Sequence, residues 1–372
     1  MTDRNPGEDG LQSKTSKLKM TMNTMRLLFL SDTHLGFDLP FKPRVERRRR
    51  GEDFFANTEK ALQLAYRGEV DAVIHGGDLF YRTRVPDQLV EMAMQPFIQA
   101  AQKVPVFIVP GNHERSRIPL SLWTQHPQLH IFDRARTFRL EKNGVTCALA
   151  GFPFQRKIRN VFKDKVDLSG VGDFQADIKI LCMHQTVEGA MVGPSNYTFR
   201  VGEEIIPGNL IPEFLDVVLS GHIHRSQVLD EDLAGRPLGA RVVYSGSIER
   251  TSFAEREENK HYVILEFEKG IEEGKSELRI GYYDLKARPM FRINLSWKGG
   301  NKGEFLTQIR SSISKLPPDS IVQVVIQGNK TELWKPYMTD ALLRSAAPKT
   351  MNIAFSRIRD LRSSSHVGVR RS

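Results

Sequence analysis

From Met25 onward the chain repeats one pattern, a short continuous apolar run closed by a polar cluster: MRLLFLSDTH, VDAVIHGGD, VPVFIVPGNH, ADIKILCMHQ and LDVVLSGHIH. A strand with one wet face alternates apolar and polar residues, so runs that are apolar throughout predict strands covered on both faces. Helical segments lie between several of them. NTEKALQLAYRGEV places Ala61, Leu64 and Ala65 on one face, and DQLVEMAMQPFIQAAQK is amphipathic in the same way. This alternation predicts a layered α/β core with parallel or mixed strands. From about Ala234 the texture turns β-rich with hairpin signals, in ARVVYSGSIE, HYVILEFEKG, SELRIGYYDL and FRINLSW. Beyond residue 287 a strand (SIVQVVIQG) and a helix (EFLTQIRSSISKL, ended by Pro317 and Pro318) predict a second, smaller α+β domain.

The expected organisation is a disordered tail over 1–24, a core domain over 25–286, a small capping domain over 287–360 and a second disordered tail over 361–372. With 372 residues, 40% of them hydrophobic, the chain can bury one large core and a smaller appendage. No stretch approaches the ~20 continuous apolar residues that cross a bilayer. The polar start lacks the apolar centre of a signal peptide, so the expectation is a cytoplasmic protein with no membrane contact. Cys147 and Cys182 each sit in an apolar run, as buried free thiols of a reducing compartment would. The net charge of +10 favours a polyanionic partner such as nucleic acid, although charge alone discriminates poorly.

The chemistry is carried by the residues that close the strands. They are Asp32-Thr33-His34, Gly77-Asp78, Gly111-Asn112-His113-Glu114, His184 and Gly221-His222-Ile223-His224. Taken singly each has a bland explanation. An Asp-x-His pair serves as a turn, a Gly-Asp caps a loop, and a lone histidine satisfies itself in a core. His222 and His224 point the same way if the segment is extended. Taken together they are harder to dismiss, because open α/β sheets gather ligands at the carboxyl ends of their strands. Carboxylate, imidazole and amide oxygen also suit Mn²⁺, Fe²⁺ or Zn²⁺. His75, His126, His130, His261 and His366 have no such setting.

In its order of motifs, D-x-H, G-D, G-N-H-E, a lone H and G-H-x-H, the chain resembles the calcineurin-like metallophosphoesterase superfamily over Met25 to Leu285. Within it, SDTHLG, GGDLF, the segment Tyr244 to Arg250 and the β-rich C-terminal addition are similar to the SbcD type, the nuclease subunit of DNA double-strand-break repair complexes. The resemblance implies a four-layer α/β/β/α sandwich with the small C-terminal domain as a cap. It implies two divalent metal ions, Mn²⁺ being the one expected, with Asp32, His34 and His224 on one, Asn112, His184 and His222 on the other, and Asp78 bridging. His113 becomes a non-ligand histidine facing the scissile phosphate. It further implies a homodimer working with an SbcC-like SMC ATPase. One departure stands out: where such nucleases often carry a histidine three positions after the bridging aspartate, this chain has Tyr81, which puts the strength or direction of exonuclease activity in question. Glu249 and Arg250 are expected to be structural, a buried pair closing the sheet.

The reading is therefore a two-metal phosphodiesterase, a DNA exonuclease or endonuclease in double-strand-break repair. Two alternatives stand beside it. One is another metallophosphoesterase, a cyclic-nucleotide or small phosphodiester hydrolase or a phosphoprotein phosphatase, which would share the metal pattern. The other is a non-catalytic DNA-end-binding scaffold, against which all seven ligand positions are intact. The added domain and positive charge favour DNA. Candidate substrate contacts are Arg47, Arg48 and Arg50 in a basic run with Lys42 and Arg44 nearby, together with Arg115 and Tyr81; a solvated helix face is the bland alternative for the run. A second basic grouping, Arg115, Arg117, Arg156, Lys157 and Arg159, is scattered. The Gly270–Ser276 segment resembles a phosphate-binding loop only superficially and reads as a hairpin turn, so any ATP dependence would come from a partner.

Overall fold

A computed structural model of the chain describes residues 23–40, 44–114, 126–270, 276–297, 300–327 and 339–356. The five apolar runs form β1 (Thr24–Leu30), β2 (Ala72–His75), β3 (Val106–Ile108), β7 (Ile178–Met183) and β12 (Val217–Ser220). They belong to two six-stranded sheets among the described residues. In the first, β16 (Glu277–Leu285) and β15 (Lys260–Glu268) precede β1, β2, β3 and β4 (Leu129–Ile131). In the second, the order is β13 (Gln227–Glu231), β14 (Pro237–Tyr244), β12, β7, β6 (Val145–Gly151) and β5 (Arg136–Lys142). The strands that carry the motifs pair in parallel, β1 with β2 and β2 with β3 in one sheet, β7 with β12 in the other. Their carboxyl ends therefore point the same way within each sheet.

Burial explains why these strands do not alternate. Leu27 and Phe29 of β1 face Cys147, Ile180, Leu219 and Val243 across the gap between the sheets. Leu28 and Leu30 face the opposite way, onto α1 (Arg50–Tyr66) and α2 (Asp87–Ala101). On the far side, Leu181, Val218 and Val242 of the second sheet pack with Phe162 and Val166 of α3 (Phe162–Ser169). The layers run α/β/β/α, as the resemblance implies. Cys147 and Cys182 are buried and unpaired within it. The segment Gly270–Ser276 joins two antiparallel strands, β15 and β16, in register at Glu268 and Glu277. It is a hairpin connection, and residues 271–275 within it are outside the described set.

Two elements differ from the sequence reading. Helix α1 starts at Arg50, a full turn and more before Asn57, because its first turn is fixed by polar contacts: Glu52 accepts the Arg49 N–H at 3.4 Å, and acidic residues favour a helix start. The hairpin β5–β6 is missed on its first arm because β5 is largely polar at the sheet edge. Its Asn143-Gly144 turn, with φ of 52° and 79°, was the available signal.

After β16, β17 (Met290–Ser296), β18 (Ile321–Gln327) and β19 (Asn352–Phe355) form a parallel three-stranded sheet, alternating with α4 (Lys302–Ile313) and α5 (Asp340–Ala346). It has its own core of Trp297, Phe305, Ile309, Val324 and Leu343. Arg288 joins it to α1. Its guanidinium, 5% exposed, donates to Asp53 at 3.0 Å, Asn352 at 2.6 Å and the Asp319 and Thr350 carbonyls at 2.7 and 2.8 Å. Arg48 completes the clamp on Asp53 at 2.5 Å. Removing one partner of a buried ion pair strands the other, at a cost of about 3–5 kcal/mol. Arg288→Ala should lower the urea midpoint accordingly; an unchanged midpoint would show that the clamp is dispensable.

Candidate metal centre

Strand ends from both sheets meet at one site. The turns that deliver its residues are strained: Asp32, His34, Asp78 and His222 adopt φ of 51°, 42°, 53° and 80°. Non-glycine residues held there cost about 1–3 kcal/mol each and concentrate where function demands them. Asp32 N–H bonds to the Gly77 carbonyl at 2.9 Å and His34 N–H to the Asp78 carbonyl at 3.0 Å, locking the β1 and β2 turns together. Glycine is needed beside them. A Cβ on Gly111 would lie 2.3 Å from Asp78 Oδ1, and one on Gly221 would lie 2.3 Å from the Gly76 carbonyl oxygen.

Two clusters result. In one, His34 Nε2 and His224 Nε2 lie 3.0 Å apart, with Asp32 Oδ1 at 4.0 and 3.9 Å from them. In the other, Asn112 Oδ1 lies 3.1 Å from His184 Nε2 and 3.0 Å from His222 Nδ1. Asp78, 3% exposed, stands between, with Oδ1 3.4 Å from His184 Nε2. It shares one grouping of close donor atoms with Asp32 and His184 and another with His34 and His113.

The donors are aimed from behind. His184 Nδ1 donates to the Gly76 carbonyl at 2.7 Å, which presents Nε2 to the cluster. The Asp32 carboxylate accepts from Ser31 Oγ at 2.6 Å and from His222 N–H at 3.1 Å. Glu114 accepts the N–H groups of Asp78, Phe80 and Gly111 at 3.0, 2.9 and 2.7 Å. Burial, together with Asp78, pushes the Glu114 carboxyl up to about 8. Burial would also raise Asp78, but His184, His34 and His113 outweigh it and hold that carboxylate below its usual range. Burial would lower His184, and the opposing carboxylates raise it to about 9. His34 is held well below its usual value by burial and by His224, and its buried Nδ1 has no hydrogen-bond partner among the described residues.

This donor set fits a pair of divalent cations. Imidazole nitrogens converge on carboxylate and amide oxygens with donor atoms 3.0 to 4.0 Å apart, the separation of ligands that share one cation. All seven residues expected as ligands are thus brought together. His113 adjoins them: its Nδ1 donates to the Phe80 carbonyl at 3.0 Å, and its Nε2 lies 3.9 Å from Asp78 Oδ2.

The candidate substrate contacts are placed differently. Tyr81 packs edge-on against Phe37, with its centroid 6.4 Å from that of His34. Arg47 lies 3.8 Å from Asp38. Arg48 belongs to the Arg288 clamp, and Arg50 stacks on Phe37 at 4.6 Å while donating to the Arg250 carbonyl. Arg48 and Arg50 thus direct their guanidiniums into the fold. Arg115 and Arg117 lie outside the described residues, as do Lys42 and His366. Glu249 and Arg250 are joined through the Arg250 N–H at 2.7 Å, while the Arg250 guanidinium bonds to the Glu258 and Arg288 carbonyls.

Sequence reasoning missed the support behind His224. Glu255 accepts from His224 Nδ1 at 3.2 Å and pairs with the fully buried Lys260 at 2.8 Å. Burial would raise the Glu255 carboxyl, and His224 and Lys260 together pull it below its usual range. Carboxylates in this position orient a ligand imidazole and strengthen it, typically by 10–100-fold in metal affinity. Glu255→Gln should therefore weaken Mn²⁺ binding by at least about tenfold in calorimetry; unchanged affinity would make the pair purely structural. No motif marks Glu255, which lies in a short 3₁₀ turn far from the other clusters in sequence.

The calcineurin-like phosphoesterase family profile matches residues 25–226. The chain is 26% identical over 350 residues to the DNA double-strand break repair protein Mre11 of Methanosarcina acetivorans, covering 90% of this chain and 51% of that protein. It is 24% identical to the protein of the same name from Methanosarcina mazei, covering 90% and 50%. It is 25% identical over 264 residues to a subunit of the nuclease SbcCD of Staphylococcus epidermidis, covering 66% of each. The chain thus spans between half and two thirds of the length of these relatives.

Proposed function

The chain belongs to the calcineurin-like phosphoesterase family, and from that premise we propose that it is a two-metal phosphodiesterase whose substrate is DNA. The observation that carries the reading is Asp78 standing between two clusters of imidazole and carbonyl or carboxylate donors. Asp32, His34 and His224 would hold one ion, Asn112, His184 and His222 the other, and Asp78 both. When bound, such ions neutralise charge on the phosphoryl group and bring the pKa of water toward neutrality.

The chain's own groups do the rest. The Gly76 carbonyl fixes the His184 tautomer, so that Nε2 presents its lone pair to the crevice where a cation would sit. Ser31 and the His222 amide hold Asp32 in one orientation. The Phe80 carbonyl likewise fixes His113, leaving Nε2 at the crevice, 30% of its side chain exposed, where it can deliver a proton to the leaving alkoxide.

DNA is supported by the net charge of +10 and by the names of the relatives, one a DNA double-strand break repair protein, another a component of the nuclease SbcCD. The same reading makes the chain a cytoplasmic homodimer acting in double-strand-break repair with an SbcC-like ATPase. No helix among the described residues is long and apolar enough to cross a membrane. The test is to offer the purified chain with Mn²⁺ linear duplex DNA, a cyclic nucleotide and a phosphopeptide. DNA cleavage is the expected result; turnover of the phosphopeptide with DNA untouched would overturn it.

A further inference from the structure

The segment that joins β14 to β15, Ser245 to Asn259, is bonded to the metal centre at one end and to the C-terminal domain's junction at the other. Toward the centre it carries Glu255, which accepts from His224 Nδ1 and is braced by Thr251, whose Oγ1 and N–H donate to it at 2.5 and 3.3 Å. Lys260, at the start of β15, gathers this group. Its Nζ donates to the His224 carbonyl at 3.0 Å, Ser247 Oγ at 2.9 Å, Glu255 Oε2 at 2.8 Å and Glu258 Oε2 at 3.3 Å. Glu258 Oε1 accepts from Arg225 at 3.2 Å. Arg225 in turn holds Asn196 and the Gly193 carbonyl, in the excursion between β7 and β12 made of β8 (Thr186–Val187), β9 (Met191–Val192), β10 (Tyr197–Thr198) and β11 (Ile205–Ile206). His224 is therefore aligned by a buried polar network that ends at Glu258.

Arg250 fixes that end. Its main chain is pinned on both sides, the N–H to Glu249 Oε1 at 2.7 Å and the carbonyl by Arg50 at the start of α1. Its guanidinium Nε and Nη2 both donate to the Glu258 carbonyl, at 2.9 and 2.8 Å, while Nη1 donates to the Arg288 carbonyl at 3.0 Å. Arg288 is the residue whose own guanidinium seats the C-terminal domain, through Asn352 and the Asp319 and Thr350 carbonyls, on Asp53 of α1. One half-buried guanidinium thus joins the residue that docks the small domain to the residue that anchors the His224 network. These donors go to main-chain carbonyls, so they set the position of backbone. A planar fork holds two acceptors in one geometry, which an ammonium on a flexible stem does not.

We infer that Arg250 is a positioning residue for the metal centre: by tying the Glu258 carbonyl to the Arg288 carbonyl it makes the alignment of His224 depend on the seating of the C-terminal domain. A ligand imidazole is oriented by the carboxylate behind it, and that carboxylate by its own partners. Here the partners lead from Glu255 through Lys260 and Glu258 to Arg250. An arginine that only closes the sheet would support stability and leave the ligands alone. The inference takes its readout from the two-ion reading of the centre but is separable from it.

The experiment is calorimetry of Mn²⁺ binding to the full chain, at a temperature well below the unfolding midpoint of every variant. Arg250→Ala and Glu255→Gln should each weaken Mn²⁺ by about tenfold. Combined, they should weaken it little more than either alone, because residues acting through one network are not additive. A combined loss of about a hundredfold, the product of the two, would show independent effects and overturn the inference. Arg250→Lys keeps the charge without the fork and should bind Mn²⁺ as weakly as Arg250→Ala; wild-type affinity would show that charge alone suffices and overturn it as well. If Arg250→Ala does not fold, the same cycle is run with Arg250→Lys. Arg288→Ala, which loosens the small domain without altering the segment, should weaken Mn²⁺ in the same direction, and unchanged affinity would remove the dependence on seating. A wild-type chain that binds no Mn²⁺ would sink the reading of the centre itself, whereas tight wild-type binding with additive variants would sink the role of Arg250 alone.

Discussion

Asp78→Asn should lower hydrolysis of a small chromogenic phosphodiester by at least about a thousandfold, equivalent to about 4 kcal/mol of transition-state stabilisation. It should also leave fewer than two Mn²⁺ per chain by elemental analysis. The substitution keeps the shape of the side chain and removes one charge. That charge is the one both clusters share, since Asp78 is close to His184 on one side and to His34 and His113 on the other. An amide oxygen cannot offset two dications at once, so the ions should lose both affinity and spacing. Retention of two ions with activity within tenfold of the wild type would mean that Asp78 bridges nothing.

The second large effect separates binding from chemistry. His113→Ala should keep both ions and lose about a hundredfold to ten-thousandfold in kcat, the usual contribution of a positioned general acid. The geometry permits the opposite outcome, because His113 also falls in a grouping of close donors with His34 and Asp78. Loss of one ion on elemental analysis would make His113 a ligand and remove it from the proton-transfer step. The hydrogen bond from its Nδ1 to the Phe80 carbonyl favours the first outcome, since the side chain is held at the crevice without help from a cation.

The parts of this centre that were legible in the sequence are those where local pattern and function coincide. Strands buried on both faces read as unbroken apolar runs, and their polar ends then stand out as Asp32, Asp78, Asn112, His184 and His222. That these ends come from two sheets rather than one open sheet was not readable from the runs themselves and entered through the resemblance. What stayed hidden depends on contacts distant in sequence. Glu255 and Lys260 reach His224 only after β15 folds back beside β1. Arg48 and Arg50 look like a phosphate-binding run in one dimension, yet Asp53, Phe37 and the Arg250 carbonyl claim them in three.

Anomalous scattering from crystals grown with Mn²⁺ tests the centre most directly. Two peaks about 3.5–4 Å apart, one touching Asp32, His34 and His224, the other Asn112, His184 and His222, with Asp78 contacting both, is the predicted result. One peak alone, or a pair that leaves Asp78 out, would contradict it.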